Sequence, residues 1–268
     1  MCEACGCQNS SAGGSEAGEV QTVEVHQSLL AANEKAARAN REHIESMGAV
    51  AINMISGPGS GKTTLLERTI EIMANESRIG VIEGDIETER DAERIRAKGV
   101  PVVQLTTGGA CHLDAPLVHK GLHRLEEAAG SQFDLIFIEN VGNLVCPATF
   151  ALGEHCRVVL ISVPEGSDKP AKYPSVFQSS QALVITKTDL ISYFNFSMEE
   201  ATREALSINP GLQIIALSST SEDVFRKQAY RRGPLSRFRE ESGKVKEGLD
   251  EWLSFLRSLL LISRREVL

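Results

Sequence analysis

A glycine-rich stretch between a strand pattern and a helix pattern constrains this chain more than any other feature. The stretch reads Ser56-Gly57-Pro58-Gly59-Ser60-Gly61-Lys62-Thr63-Thr64. An apolar run at 49–55 precedes it, and residues 65–73 repeat apolar side chains at helical spacing. A strand, a glycine loop and a helix in this order predict a phosphate-binding loop, whose backbone N–H groups wrap around phosphate oxygens.

The residue types within this loop predict separate roles in nucleotide binding. Lys62 is expected to reach the β- and γ-phosphates, and the hydroxyl of Thr63 is expected to bind Mg²⁺. Ser56 stands where the strict pattern has glycine, and its side chain is small enough for the loop to close. The candidate nucleotide ligands of the loop are Gly57, Pro58, Gly59, Ser60, Gly61, Lys62, Thr63 and Thr64.

The alternation of strand and helix patterns after residue 48 predicts the fold class. It favours a three-layer α/β/α nucleotide-binding fold with a mostly parallel sheet that is covered on both faces. Residues 1–20 are expected to form a tail, 21–47 a helix, and 48–262 the nucleotide-binding domain. The candidate strands are Ala49–Ile55, Ile79–Gly84, Val100–Leu105, Phe133–Glu139, Arg157–Val163, Ala182–Thr186 and Leu212–Leu217.

Two acids at predicted strand ends are candidates for chemistry on the nucleotide. Asp85 closes the second strand, and Glu139 closes the fourth and is followed by Gly142. Because ligands of such folds bind at the carboxyl ends of strands, both acids should face the phosphates. We predict Lys62, Asp85 and Glu139 as catalytic residues, Thr63, Asp85 and Glu139 as Mg²⁺ ligands, and Gly142 as a sensor of the γ-phosphate.

A run after the sixth predicted strand resembles a guanine-specificity motif. Thr186-Lys187-Thr188-Asp189 is similar to the N-K-x-D motif of GTPases, with Thr186 in place of the usual Asn. A carboxylate at Asp189 would accept hydrogen bonds from guanine N1–H and N2–H₂, which adenine lacks. Lys187 would lie along the base, and Ser218 would contact it after the last strand. The run therefore predicts GTP and GDP as ligands.

Five of the six cysteines fall into two groups that suit metal ions. Cys2, Cys5 and Cys7 form C-x-x-C-G-C, in which three thiolates can bind one soft or borderline ion. Cys111, His112 and Cys146 lie on two loops and offer thiolate, imidazole and thiolate donors, which suit Zn²⁺ or Ni²⁺. By contrast, His119 and His123 stand one helical turn apart, and we interpret them, like His43, as surface residues of helices.

Composition excludes several classes of partner. The net charge is −8, which does not favour sequence-independent nucleic-acid binding or an anionic membrane surface. No apolar run approaches the roughly 20 residues that a membrane span requires. The first residues are polar and cysteine-rich, unlike a signal peptide, so the cytoplasm is the expected location.

Taken together, these motifs resemble the HypB family of nickel-inserting GTPases in [NiFe]-hydrogenase maturation. The most specific match is the run Glu139-Asn140-Val141-Gly142-Asn143-Leu144-Val145-Cys146-Pro147. The C-x-x-C-G-C motif, the phosphate loop, the run Gly109–His112 and the run Asp168–Pro174 also match, and residues 247–256 look like the family's last helix. Residues 220–244 do not look like the family; Arg226–Gly233 is a basic insertion.

The resemblance implies a slow GTPase of the dimerising branch of phosphate-loop proteins. It implies a tight nickel site at Cys2, Cys5 and Cys7, and a weaker nickel or zinc site at Cys111, His112 and Cys146. The implied partners are a second copy of the chain in a GTP-dependent homodimer, the HypA nickel accessory protein and the hydrogenase large-subunit precursor. Because Cys146 follows the γ-phosphate-sensing run, metal affinity is expected to depend on the bound nucleotide.

Three alternatives stay open on the sequence alone. Thr186 in place of Asn leaves room for an ATPase or a small-molecule kinase. A passive metal-binding protein with a vestigial nucleotide site is a second alternative, although Lys62, Thr63, Asp85 and Asp189 are intact. GTPase chaperones of urease or of cobalamin enzymes share the core pattern without the N-terminal cysteines.

Overall fold

The computed structural model of the chain describes residues 16–86, 89–218 and 245–266. Side chains are described for residues 28–86, 89–218 and 248–263. The chain divides into two units, Met1–Ala32 and Asn33–Leu268. The boundary falls within the first helix, and everything below concerns the second unit. The predicted tail motif and the basic insertion at 220–244 lie outside the described residues. No helix in the described ranges is both long and apolar enough for a bilayer span.

Strands and helices alternate as the sequence predicts. The strands are β1 (Val50–Ser56), β2 (Ile79–Asp85), β3 (Val102–Thr106), β4 (Leu135–Glu139), β5 (Cys156–Ser162), β6 (Ala182–Thr186), β7 (Gln213–Ala216) and β8 (Val245–Glu247). The helices are α1 (Glu16–Ser46), α2 (Lys62–Met73), α3 (Arg90–Arg96), α4 (Ala115–Ala129), α5 (Lys169–Lys172), α6 (Pro174–Gln178), α7 (Met198–Ile208) and α8 (Leu249–Glu266).

All seven predicted strands are present, with ends that differ from the predicted ones by at most two residues. Two differences concern the ends of the chain. Helix α1 begins at Glu16 and not at residue 21, and β8 adds a short strand that the sequence pattern did not predict. Three residues are too few for the alternation of polar and apolar side chains to be recognised.

The strands form one sheet in the order β3-β2-β4-β1-β5-β6-β7-β8, and every neighbouring pair is parallel. The predicted parallel sheet is therefore confirmed. Strand β1 lies near the middle, between β4 and β5. The loops after β1, β2, β3, β4 and β6 consequently leave the same edge of the sheet, where the candidate site residues were expected.

Alternate residues of each central strand are buried on opposite faces of the sheet. In β4, Leu135 and Phe137 join a core cluster with α2 and α8, whereas Ile136 and Ile138 join a second cluster with α1 and α4. Near β5–β7 a third cluster includes residues of α6 and α7. Both faces are thus covered by helices, which explains why the strands read as continuous apolar runs.

Candidate nucleotide and metal sites

The phosphate loop has the strand–loop–helix geometry that its sequence predicts. Strand β1 ends at Ser56, and helix α2 begins at Lys62. Gly59 and Gly61 adopt φ angles of 72° and 94°, in the left-handed region that glycine enters without strain. The Nζ of Lys62 donates to the Ser56 hydroxyl at 2.9 Å, so the serine at the first loop position takes part in holding the lysine.

A polar cavity of about 370 Å³ opens beside this loop. It brings together residues from five separate segments of the chain, at the carboxyl edge of the sheet. Ten of the predicted nucleotide or Mg²⁺ residues line it: Pro58, Gly59, Gly61, Lys62, Thr63, Thr64, Asp85, Glu139, Gly142 and Lys187. Glu83, Gly84, Asp91, Arg94 and Asn140 complete the lining.

A residue that the sequence did not point to, Glu165, binds the phosphate loop at Ser60 and lies close to Gly57. The Ser60 hydroxyl donates to the Glu165 carboxylate at 2.7 Å, and the same carboxylate accepts from the backbone N–H of Ser162 at 2.7 Å. A Cβ at Gly57 would overlap the Glu165 carboxylate. Glu165 therefore holds the base of the phosphate loop through the Ser60 hydroxyl.

The carboxylates near the phosphate loop form a denser group than predicted. Glu83 and Glu139 are register partners on β2 and β4, and their oxygens lie within 4.8 Å of Asp91. Glu139 also accepts from the Thr63 hydroxyl at 2.7 Å. Asp85 lines the same cavity but does not belong to this group of three.

Burial of Glu83 and Glu139 shifts their protonation toward the neutral form. Burial, reinforced by the charges of Glu139 and Asp85, raises the pKa of Glu83 to about 8. Burial also raises the pKa of Glu139, although Lys62 and the Thr63 hydroxyl oppose the shift. One carboxylate oxygen of each glutamate, Oε2, is buried without a hydrogen-bond partner. Oxygen atoms of this kind suit a hard divalent cation, which would take the place of the missing partner.

Thr186 and Lys187 bind the phosphate loop itself. The buried Thr186 hydroxyl donates to the Ser60 carbonyl at 2.6 Å. Lys187 donates from Nζ to the Gly59 carbonyl at 2.7 Å, and its φ of 57° makes it the one described non-glycine residue with positive φ. A left-handed lysine costs backbone energy, as is common at functional sites. Thr186 thus supports the phosphate loop through the hydrogen bond that its hydroxyl donates to Ser60.

The remaining predicted base contacts lie beside this motif. Asp189 is exposed at the start of a 3₁₀ turn, Thr188–Tyr193. Ser218 is buried at the end of the described segment that follows β7. The Thr188 N–H donates to the Leu217 carbonyl at 3.3 Å, which brings the two loops together. Asp189 and Ser218 remain predictions as base ligands.

The three predicted metal ligands from two loops are brought together. The Sγ atoms of Cys111 and Cys146 lie 2.9 Å apart, and Nδ1 of His112 lies 3.8 Å from the Cys111 sulfur. The His112 ring stacks on Phe150 with ring centroids 4.1 Å apart. Burial lowers the pKa of His112, which keeps the imidazole neutral as a ligand must be. Two thiols and an imidazole, whose ligand atoms all lie within 4.8 Å of one another, form a donor set that suits one borderline divalent ion.

The segment 139–146 contacts both the phosphate loop and the metal ligands. At its first residue, Glu139 binds the hydroxyl of Thr63, as described above. Asn140 accepts from the N–H of Leu113, the residue after His112, at 3.1 Å. A Cβ on Gly142 would crowd Pro58 at 3.1 Å.

Asn143 continues this connection to the metal ligands. Its Nδ2 donates to the Cys111 carbonyl at 3.2 Å, and its Oδ1 accepts from the Val145 N–H at 2.8 Å. The short 3₁₀ turn Cys146–Ala148 follows directly. A continuous set of polar and packing contacts therefore joins the two sites.

Sequence reasoning did not assign roles to Asp91, Arg94 and Glu165. Arg94 bridges Glu67 and Asp91 at 2.6 and 2.8 Å and adds a guanidinium to the cavity wall. Such residues carry no local motif, because their role depends on where α3 and the turn after β5 pack. Cys2, Cys5 and Cys7 lie outside the described residues. Cys156 is buried in β5 and belongs to neither site, as expected of a core thiol.

Comparison with known proteins agrees with this geometry. The family model of the CobW/HypB/UreG nucleotide-binding domain matches residues 51–216. The hydrogenase maturation factor HypB of Escherichia coli K12 is 39% identical over 236 residues, which cover 88% of this chain and 72% of that protein. The chain belongs to the HypB family.

Other HypB proteins give the same result. The HypB of Azotobacter vinelandii is 46% identical over 199 residues; the match covers 74% of this chain and 65% of that relative's length, slightly under two thirds. The crystal structure of Helicobacter pylori HypB in complex with nickel matches with a TM-score of 0.72 and 34% identity, and covers 87% of this chain and 96% of that one. The Archaeoglobus fulgidus HypB structure matches with a TM-score of 0.70 and 38% identity, covering 86% and 99%.

Proposed function

We propose that this protein is a GTP-hydrolysing nickel metallochaperone that assists nickel insertion into the precursor of a [NiFe]-hydrogenase large subunit. The observation that carries the proposal is the contact path from the phosphate loop, through residues 139–146, to Cys111, His112 and Cys146. It joins a nucleotide pocket to a set of metal donors. Relatives named as hydrogenase maturation factors, and a relative crystallised with nickel, support the same reading.

In this proposal the chain's own residues bind and orient the nucleotide. The loop residues 57–64 surround the phosphates, Lys62 approaches the β- and γ-phosphates, and Asp189 with Lys187 and Ser218 selects guanine. Thr63 and Glu139, with Asp85, Glu83 and Asp91 nearby, would hold Mg²⁺. When bound, that ion neutralises phosphate charge. The buried, unpartnered oxygens of Glu83 and Glu139 support this assignment.

Nickel is the cargo in this proposal, and Zn²⁺ is an alternative occupant of the same donors. Glu139 accepts a hydrogen bond from Thr63, and Gly142 lies close to Pro58. We therefore expect a change at the γ-phosphate to move the segment that ends at Cys146. Moving one thiolate relative to Cys111 changes the affinity for the ion. By linkage, metal binding then changes nucleotide affinity by the same factor, about 5- to 150-fold for a typical coupling of 1–3 kcal/mol.

The test measures nickel affinity of a variant in which Cys2, Cys5 and Cys7 are serine, so that the N-terminal motif does not compete with Cys111, His112 and Cys146 for the ion. Titrations are made with GDP and with a non-hydrolysable GTP analogue, each with Mg²⁺. We expect affinities that differ by at least about 5-fold between the two nucleotides. Equal affinities would remove the nucleotide switch, and preference for ATP over GTP in competition would favour the ATPase or kinase alternative.

The variant Lys62→Ala distinguishes a working GTPase from a passive metal-binding protein. We expect it to lose GTP hydrolysis and hydrogenase activation in cells while nickel binding at Cys111, His112 and Cys146 persists without nucleotide. Unchanged activation would support the passive alternative.

Sedimentation with GDP and with the GTP analogue tests the proposed GTP-dependent homodimer. Pull-downs with HypA and with the large-subunit precursor test the proposed partners.

A further inference from the structure

A cluster of three histidines lies between helices α1 and α4 and shares no residue with the cysteine donors or the phosphate loop. Each of His43, His119 and His123 offers one ring nitrogen, and these nitrogens lie within 4.8 Å of one another. The sequence interpretation of all three as surface positions is right for His123 only, since His43 and His119 are half-buried. Helix packing brings His43 to the pair on α4.

The hydrogen bonds of Asn40 determine which nitrogen of His119 faces the cluster. Asn40 is fully buried, and its Nδ2 donates to the carbonyls of Ala115 and Leu152 at 2.8 and 2.9 Å. Its Oδ1 therefore has to face Nδ1 of His119, 2.9 Å away. Because an amide oxygen only accepts, Nδ1 of His119 carries the proton, and Nε2 is left with a lone pair.

This arrangement resembles the support that metal-binding histidines receive in proteins. A ligating imidazole usually donates its other N–H to a fixed acceptor, which sets its tautomer and orientation. The Asn40 contact therefore holds His119 with Nε2, which carries the free lone pair, facing the other two histidines.

The spacing of the nitrogens fits one ion. Nε2 of His119 and Nε2 of His123 lie 3.2 Å apart. Two nitrogen ligands at the usual distance from a tetrahedral zinc ion are separated by about 3.3 Å. The Glu126 carboxylate lies 3.3 Å from Nε2 of His43 and adds negative charge next to the cluster. His43 closes the third side, with its ring centroid 4.7 Å from that of His123.

We propose that His43, His119 and His123 form a further divalent-metal site of this protein, separate from the cysteine-containing sites, which binds a borderline transition-metal ion such as Zn²⁺ or Ni²⁺. Imidazole donors suit these ions, whereas Mg²⁺ and Ca²⁺ prefer oxygen. The site connects the last turns of α1 to α4, the helix that begins three residues after the ligand His112. The proposal does not depend on nucleotide binding or on the proposed function.

The test uses the full chain with Cys2, Cys5, Cys7, Cys111 and Cys146 changed to serine, which removes both cysteine sites. Zn²⁺ and Ni²⁺ are titrated without nucleotide, and Co²⁺ reports the ligands by its absorption spectrum. We expect one equivalent of ion, a cobalt spectrum without thiolate charge-transfer bands, and a higher melting temperature with metal. No bound equivalent, or binding only at millimolar metal, would overturn the proposal.

Substitutions on helix α4 and at His43 identify the ligands. Loss of an outer partner of a metal ligand costs about 10- to 100-fold in affinity, so His123→Ala and His119→Ala should each cost at least about 100-fold. The exposed position of His123 makes that variant safe for folding. Lys120→Ala, on an exposed position of the same helix, is the matched control and should retain affinity.

His43→Ala and Glu126→Gln test the contribution from the other side of the cluster. We expect His43→Ala to weaken binding at least about 10-fold, and Glu126→Gln to weaken it about 10-fold, whereas Glu127→Gln, its exposed neighbour, has no effect. Unchanged affinity in His43→Ala would reduce the site to a surface pair of histidines and contradict the proposal.

Discussion

Asn143 provides the sharpest test of how the metal donors are organised. Its side chain makes two hydrogen bonds, one to the Cys111 carbonyl and one from the Val145 N–H. It therefore holds the loop of one thiol against the turn that carries the other, Cys146. The perturbation is Asn143→Ala in a chain whose Cys2, Cys5 and Cys7 are serine and whose His123 is alanine, so that neither the N-terminal motif nor the histidine cluster competes with Cys111, His112 and Cys146 for nickel.

The structure gives the size of the expected effect. Each hydrogen bond contributes about 0.5–1.5 kcal/mol net, so the loss of two removes about 1–3 kcal/mol of organisation. Since 1.4 kcal/mol is tenfold in a binding constant, nickel affinity should fall by about 5- to 150-fold. The fold should lose less, because Val145 is 59% exposed and water can replace the lost partner of its N–H.

The assay is a nickel titration against a competing chelator, with thermal unfolding of the same samples as a check on folding. Asn209→Ala is the matched control. Asn209 is also half-buried and donates to the carbonyls of Phe177 and Ser180, but it touches no metal ligand. The control should lose stability and keep nickel affinity. Wild-type affinity in Asn143→Ala would refute the idea that this asparagine organises the site.

Three further predictions concern stability. Thr69→Val should lower the free energy of unfolding in urea by about 1–3 kcal/mol, because the buried indole N–H of Trp252 donates to the Thr69 hydroxyl at 2.8 Å and would lose its partner. In a Trp252→Phe background the same substitution should cost less, and an equal cost there would contradict this explanation. Gly153→Ala should lower the free energy of unfolding by more than about 2 kcal/mol, since the glycine has a φ of 99° and a Cβ would meet the backbone of α1. A loss below about 0.5 kcal/mol would contradict this and show that α1 shifts to make room for the Cβ. His155 accepts at Nδ1 from the Ala51 N–H at 3.1 Å, and burial, with the charge of Arg41, lowers its pKa to about 4 from 6.5. The stability that neutral His155 contributes, roughly 3 kcal/mol, is present above pH 6.5 and is lost as pH falls through 4. The variant His155→Gln should therefore show a smaller loss of unfolding free energy between pH 6.5 and pH 4, and an unchanged pH dependence would contradict this.

The sequence determined the fold class and the principal motifs. Strand β1, the phosphate loop and α2 are recognisable because glycine spacing and apolar periodicity are local properties of the chain. Parallel strands followed from the alternation of strand and helix patterns. That alternation also predicts that Asp85, Glu139 and Cys146 lie at one edge of the sheet, because loops after parallel strands leave the same edge.

Only the tertiary structure decided which side chains share a site. Glu83 and Asp91 come next to Glu139 through strand register and the position of α3, and Glu165 reaches the phosphate loop from the turn after β5. Thr186 proved to support the loop through its hydroxyl, a contact 126 residues apart in the chain. Local patterns carry no information about such contacts, since they depend on packing between distant segments.

The histidine cluster illustrates the same division. The helical spacing of His119 and His123 is visible in the sequence, but a pair one turn apart is common on exposed helix faces. This pair differs because His43, which precedes His119 by 76 residues, packs next to it from another helix. The buried Asn40 also contributes, because its amide sets the tautomer of His119. A site built from side chains of separate helices is determined by how those helices pack, whereas the sequence shows only the individual residues.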